Sequence, residues 1–356
     1  MKNFLDDIID RAIEEDASDI YIQSESPVFL RVDGRMDAAA APPEGYEIDE
    51  ATERILRVSG ARAQLYDREE KDLSYARQVG SGKEKKTFRF RVNLCMTKKG
   101  VSIVMRRLKS VETNPLNLGV PGDLLRLVLE SSAGGIIFIA GPTGSGKSTT
   151  LASLMAYLVA TKCLNCVTIE DPIEYDIPEG VGNIIEREVG TTTLSFERAL
   201  RAAMRQRPDV ILVGEVRDPE TASAAIQAAK TGHLVFTTIH TLMTTQVPSR
   251  IASMFPVEKQ EWMVQELTDV LLAVMVQVLV PTARRLVLAT EFLDTKGAAT
   301  RELMVRGRHD LLRQQQRSGQ IGWTLNQSLR VLVDSEEVEE ADARRATNDP
   351  ALFMRE

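Results

Sequence analysis

The chain has 356 residues, 43% of them hydrophobic and 27% charged, with a formal net charge of −7. At about 150 residues per domain that length suggests two domains, and an acidic balance of mixed sign excludes the broad basic face that nucleic-acid binding requires. Three cysteines, Cys95, Cys163 and Cys166, are too few for a disulfide framework and suit a reducing compartment.

The N-terminus, Met1–Arg11, is acidic early and lacks the apolar stretch of a secretory signal. Over 3–16 the residues Phe4, Leu5, Ile8, Ile9, Ala12 and Ile13 share one face of a predicted helix. Asp19–Gln23 and Val28–Val32 read as short strands, the second closed by a turn at Asp33-Gly34. A loop rich in alanine and proline over 38–46, a helix over 49–65 and strands at Phe88–Leu94 and Val101–Leu108 complete an α+β unit spanning 1–110. Residues 111–120, with Asn114-Pro115, read as a linker.

From 121 to 356 the pattern changes. Strands at Ile136–Ala140, Cys166–Ile169, Val210–Val213 and Leu234–Thr238 alternate with helices near 122–131, 148–160, 195–205 and 218–230. Apolar strands separated by helices imply a parallel sheet covered on both faces. The periodicity after 246 reads as helical to the end, with Val270–Val280 as a buried core helix. Eleven residues containing Gln277 fall short of the roughly 20 that a membrane-spanning helix needs. Cys163 and Cys166 read as packing residues leading into a strand.

Four polar blocks interrupt this framework. Gly141-Pro142-Thr143-Gly144-Ser145-Gly146-Lys147-Ser148 fits G-x-x-x-x-G-K-[ST], between an apolar strand and a helix whose first turn holds Thr149. Glycines let successive N–H groups point inward, and the helix N-terminus adds its dipole, so this loop should cradle the phosphates of ATP. Lys147 should meet the β/γ-phosphates and the Ser148 hydroxyl should hold Mg²⁺. The second block, Thr168–Tyr175, delivers Glu170, Asp171 and Glu174 at a strand end, where carboxylates can orient water and accept its proton. The third runs from Arg205 to Glu215, an apolar strand with Gly214 where an acid is usual, leaving Glu215 to serve the metal directly or through water. The fourth, Thr231–Thr241, begins a strand at His233 and ends it at His240, a candidate hydrogen-bond donor to the γ-phosphate.

In this order the blocks resemble the Walker A, Asp, Walker B and His boxes of the type II/IV secretion (type IV pilus) ATPase superfamily, and most nearly its PilT/PilU-like retraction branch. Ala17-Ser18-Asp19-Ile20 and Arg31-Val32-Asp33-Gly34 resemble that family's N-terminal domain, and Thr87–Asn93 and Val104–Arg107 resemble the strands carrying its arginines. The resemblance implies an α/β fold, a RecA-like P-loop NTPase domain preceded by a small α+β PAS-like domain. It implies a homohexameric, Mg²⁺-dependent ATPase motor with ATP between the two domains at subunit interfaces. Glu170 would be the catalytic carboxylate, Glu215 the Walker B acid, His233 and His240 the His-box residues, and Arg91 and Arg106 the sensor arginines. The implied setting is cytoplasmic and peripheral to the inner membrane at a pilus base. There the partners would be a pilus platform protein and a paralogous motor ATPase, with no nucleic acid and no transmembrane segment of its own.

Three places depart from the pattern. Tyr21 stands where His is frequent, Thr237 where Gly is common, and Glu302–Leu311 keeps little of the branch's Ala-Ile-Arg-Asn-Leu-Ile-Arg-Glu stretch. The expected work is pilus retraction. The alternatives are an ATPase of a related secretion or conjugal-pilus apparatus, and an accessory subunit that co-assembles with a main motor.

Overall fold

Apolar spacing along Phe4–Glu14 (α1) turns Leu5, Ile8, Ile9 and Ala12 into a core, and the same helix sinks Asp6 beside two arginines. Arg54 and Arg77 each reach Asp6 at 3.0 Å, and Arg77 also pairs with Asp10, so the buried carboxylate keeps its charge partners. The computed structural model describes residues 4–32, 34–58, 70–80, 86–131, 134–283, 285–349 and 353. It divides into two units, Met1–Ser110 and Val111–Glu356.

In the first unit an antiparallel sheet runs β3-β2-β1-β6-β5-β4, formed by β1 (Asp19–Gln23), β2 (Ser26–Val32), β3 (Arg35–Ala40), β4 (Glu70–Val79), β5 (Lys86–Thr97) and β6 (Gly100–Arg107). α1 and α2 (Gly45–Val58) pack on it. Alternation in β5 buries Phe90, Val92 and Leu94 and turns Arg89, Arg91 and Asn93 to the other face. Two expectations change here. Residues 38–40 are strand rather than loop, with Ala38 and Ala40 paired to Phe29 and Val28, and α2 begins four residues before the predicted 49. The predicted helical residues 59–65, and Asp33 of the predicted turn, lie outside the described residues.

The second unit holds an eight-stranded sheet. Its strands are β7 (Gly135–Ala140), β8 (Asn165–Glu170), β9 (Asn183–Glu188), β10 (Val210–Val213), β11 (Leu234–Ile239), β12 (Leu271–Pro281), β13 (Leu286–Asp294) and β14 (Gly322–Trp323). The order is β9-β8-β10-β11-β7-β12-β13-β14, parallel from β9 to β12 and antiparallel beyond. Helices α3 (Gly122–Glu130) and α4 (Lys147–Thr161) cover one face, packing on Ile137 and Ile139. Helices α5 (Phe196–Ala203), α6 (Pro219–Lys230), α7 (Val247–Ala252), α8 (Val257–Val270), α9 (Ala298–Val305) and α10 (His309–Arg317) gather on the other, against Ile136, Phe138 and Ala140. α11 (Leu325–Asp334) and α12 (Glu340–Ala346) close a smaller core over the ends of β12 and β13.

The helical reading beyond 246 is corrected. The run 271–281 is a strand inserted beside β7, and 286–294 folds back antiparallel to it. A strand buried on both faces loses its polar–apolar alternation, so an unbroken apolar run does not distinguish it from a core helix. The β-branched spacing of Val274, Val276, Val278 and Val280 is the signal that favours strand.

Candidate active site

Parallel strands bring their C-terminal ends to one edge of the sheet, where ligands bind in open α/β folds. β7 delivers the glycine loop, β8 delivers Glu170, β10 delivers Gly214 and Glu215, and β11 delivers His240.

The loop has the shape of a phosphate cradle. Gly141 (φ 140°) lies so close to β12 that a Cβ would stand 2.3 Å from the Gln277 carbonyl oxygen, and Gly146 (φ 85°) occupies the left-handed region immediately before α4. Among the described residues no side chain caps α4, so its first N–H groups are open to an anion. The Lys147 side chain is buried and donates to the carbonyl oxygens of Gly141 and Pro142, each at 2.9 Å. Burial lowers its pKa, opposed by the Glu215 carboxylate. An ammonium in that environment gains from a polyphosphate. The glycine geometry, uncapped helix and buried Lys147 fit a nucleotide, and Ser148 at the exposed start of α4 fits a metal ligand.

Glu170 is the half-buried member of its acidic block, while Asp171 and Glu174 are exposed. Burial raises its pKa to about 8, offset in part by the Thr168 hydroxyl and reinforced by Glu186, Glu174 and Glu188. The turn after it is tied down at two points. Glu188 accepts from the Ile173 N–H at 3.1 Å, and the Tyr175 and Thr149 hydroxyls lie 2.6 Å apart, joining the acidic block to α4. Gly214 has a steric account: a Cβ there would lie 3.4 Å from the Glu170 Cα and 3.3 Å from the Ile169 carbonyl oxygen. Thr238 donates its hydroxyl to the Gly214 carbonyl at 2.6 Å and accepts from the Val216 N–H at 3.1 Å, which locks the turn of Glu215 to the strand of His240. Glu215 pairs with Arg217 at 2.5 Å. The His240 pKa is lowered by burial first, then by Lys147 and Arg217, against opposing contributions from Glu215 and a Gly141 backbone bond. Lys147, Glu215 and His240 are therefore electrostatic neighbours.

His233 is not. It precedes β11 where His240 follows it, roughly 20 Å apart by strand rise, and its Nδ1 lies 2.9 Å from the Ala228 carbonyl oxygen at the end of α6. A strand's two ends lie at opposite edges of the sheet, so His233 stands outside the site. The cysteines also divide: Cys166 is buried, with its thiol pushed up to about 12, whereas Cys163 is exposed. In the first unit Arg91 stands directly across from Arg106 in the β5–β6 ladder. Arg106 Nε donates to Asp19 at 2.8 Å, which raises the guanidinium pKa, and Arg91 lies 4.0 Å from Asp72.

Sequence reasoning missed Gln277, Tyr175, Thr238 and Glu188 as supporting residues. Gln277 is the one polar residue of a run whose apolar character suggests a helix, and a strand neighbour cannot be inferred from that pattern. A cleft of about 570 Å³ opens beside the loop, lined in part by Gly146, Thr149, Gln277, Leu279, Leu288 and Trp323. That volume suits a nucleoside-sized group.

A glycine loop, two strand-end glutamates and a histidine along the edge of this sheet define a RecA-like P-loop nucleotide-binding ATPase. A family model described as "Type II/IV secretion system protein" matches residues 1–343. The chain is 33% identical over 345 residues to the type IV pilus retraction ATPase PilT of Pseudomonas aeruginosa, covering 96% of this chain and 97% of PilT. It is 34% identical over 358 residues to the type IV pilus ATPase PilU of the same organism, covering 96% and 89%. The crystal structure of the pilus retraction motor PilT with bound ADP matches with a TM-score of 0.82 and 34% identity, covering 99% of each chain. The chain belongs to the type II/IV secretion system protein family and is an ATPase. Among the described residues no helix is long and apolar enough to cross a membrane.

Proposed function

We propose that this ATPase is a homohexameric motor that drives retraction of a type IV pilus from the cytoplasmic side of the inner membrane, docked on a platform protein at the pilus base. The observation that carries the reading is the convergence of the glycine loop, Glu170, Glu215 and His240 on one sheet edge, in a chain that matches a pilus retraction motor along nearly its whole length.

In this reading Lys147 and the loop N–H groups of Gly141 and of Thr143 through Thr149 hold the phosphates, and the cleft beside Thr149 takes the base. Ser148 and Glu215 would hold Mg²⁺, which neutralises charge on the β- and γ-oxygens when bound. Glu170 accepts the proton of the attacking water, a task suited to a carboxylate with a pKa raised toward neutrality. His240, kept neutral, donates to the γ-phosphate. Arg91 and Arg106 supply positive charge to the transferring phosphoryl group in the assembled ring, so that turnover couples to domain movement.

The test is a count of surface pili on cells whose only copy carries Glu215→Gln, which should bind ATP and stall. Excess pili with lost twitching fit a retraction motor, whereas bald cells would place the chain in assembly or secretion. One observation favours a second reading: PilU, named a pilus ATPase without a direction, is as similar as PilT. An accessory subunit would show little hydrolysis as the purified chain and more when mixed with a second motor.

A further inference from the structure

Glu291 sits on β13, fully buried, and its two carboxylate oxygens are shared among several donors. Oε1 accepts from the backbone N–H and the hydroxyl of Thr244, both at 2.8 Å. Oε2 accepts from Arg313 of α10 at 2.6 Å, with longer contacts at 3.4 Å to the Leu325 N–H and the Asn348 amide. A buried carboxylate is sustained only by such charge and donor pairing, so this cluster is a fixed junction rather than a chance contact.

The junction closes on one loop. Thr244 lies four residues after His240, and Gln316, one helical turn beyond Arg313, donates to both the Thr244 hydroxyl and the Phe292 carbonyl at 2.9 Å. Asn348 donates to the Leu242 carbonyl at 2.7 Å. The segment 241–246 is therefore held from β13, from α10 and from the C-terminal tail at once. Within it Thr241, Thr244 and Thr245 are buried, whereas Leu242 and Gln246 are exposed. Upstream, His240 follows the end of β11 beside Lys147 and Glu215. Helix α10 and the C-terminal tail thus contribute Arg313, Gln316 and Asn348 to the ground on which the His240 loop rests.

We propose that Glu291 is a positioning residue that fixes the loop following His240, through the Thr244–Glu291–Arg313 junction, and so ties the C-terminal helices to the nucleotide site. This rests on the reading of His240 as a phosphate donor only for its catalytic consequence; the fixing of the loop stands apart from it.

The full-length protein is compared with Glu291→Gln by hydrogen exchange. Peptides covering 240–246 should exchange about tenfold faster in the variant, as local opening becomes easier, while those covering 136–150 stay within about twofold. Equal exchange at 240–246, or an equal rise at 136–150, overturns the proposal. Should Glu291→Gln fail to melt cooperatively, Thr244→Val removes the shared hydroxyl without touching β13 and carries the same expectation.

ATP turnover then separates the two claims. Glu291→Gln should lower kcat about tenfold with ADP affinity nearly unchanged, and the double variant with His240→Ala should be no slower than His240→Ala alone. Multiplying losses would overturn the link to His240. A fully active His240→Ala would sink the phosphate-donor reading while leaving the exchange result to decide the junction.

Discussion

Gln277 Nε2 donates to the Ser145 carbonyl oxygen at 2.6 Å, so the strand beside the phosphate loop holds the loop's own turn in place. Both residues are buried, and the Gln277 carbonyl also fills the space where a Cβ on Gly141 would stand. Gln277→Leu keeps the volume and removes the donor, leaving a buried carbonyl unpaired. A loss of about 1–3 kcal/mol, or roughly 5- to 150-fold in ADP affinity, is expected. Titration with a fluorescent ADP analogue measures it; affinity equal to the unchanged protein would show that the loop holds its shape unaided.

Much of this site is legible in the sequence because strand ends and box residues coincide. Gly141–Ser148, Glu170, Glu215 and His240 all follow apolar runs whose shortness favours buried strands of a parallel sheet, and such strands share one ligand-binding edge. His233 misleads because two histidines flanking one strand are close in sequence and far apart in space. The strand 271–281 misleads because burial on both faces erases the period-2 signal. With it went Gln277, Glu291 and every contact that β12 and β13 make, since long-range pairing has no local trace. Gly214 reads as a deficit in the sequence; the structure gives its reason in the neighbouring Glu170 backbone.

Glu170 should make the nucleotide-free protein sensitive to mild alkali. Its folded pKa of about 8 stands above the ordinary 4.5, so the folded state keeps a proton that the unfolded chain has released. Stability is undiminished below 4.5, falls as pH rises from 4.5 toward 8, and stays low above that. Glu170→Gln should flatten this fall in melting temperature. The same variant should lose about 10²–10⁴ in turnover, and the unchanged protein's rate should climb with pH as the base deprotonates. A melting curve with the same pH slope in both proteins would remove the shifted carboxyl from the account.

Restoring an acid at 214 should harm rather than help. A Cβ at that position meets ordinary to tight contacts of 3.3–3.4 Å, so Gly214→Ala should fold and turn over ATP within a few-fold of the unchanged chain. Gly214→Asp adds a like charge against Glu170, which pushes the pair's protons on and perturbs the base. Turnover well below that of Gly214→Ala is expected, with ADP affinity kept. Steady-state kinetics of the two variants side by side decides it: full activity in Gly214→Asp would show room and tolerance that the geometry denies.

Asp19 should matter to hydrolysis through Arg106. Its Oδ1 accepts from Arg106 Nε at 2.8 Å, Oδ2 accepts from the Ser18 hydroxyl at 2.7 Å, and Arg31 approaches to 3.8 Å. The carboxylate is buried, whereas the Arg106 side chain is 70% exposed, so the pair aims an exposed guanidinium from a fixed base. Exposed ion pairs add little stability, and Asp19→Ala leaves no buried charge behind, so its melting temperature should move by a few degrees at most. Freed from Asp19, Arg106 samples several rotamers and the electrostatic gain of a positioned cation is lost. Asp19→Ala should therefore approach Arg106→Ala in turnover, both with kcat down and ADP affinity kept. Arg31→Ala, which removes only the more distant cation, should stay near the unchanged rate. Full turnover in Asp19→Ala beside an inactive Arg106→Ala would mean that the arginine needs no fixed base.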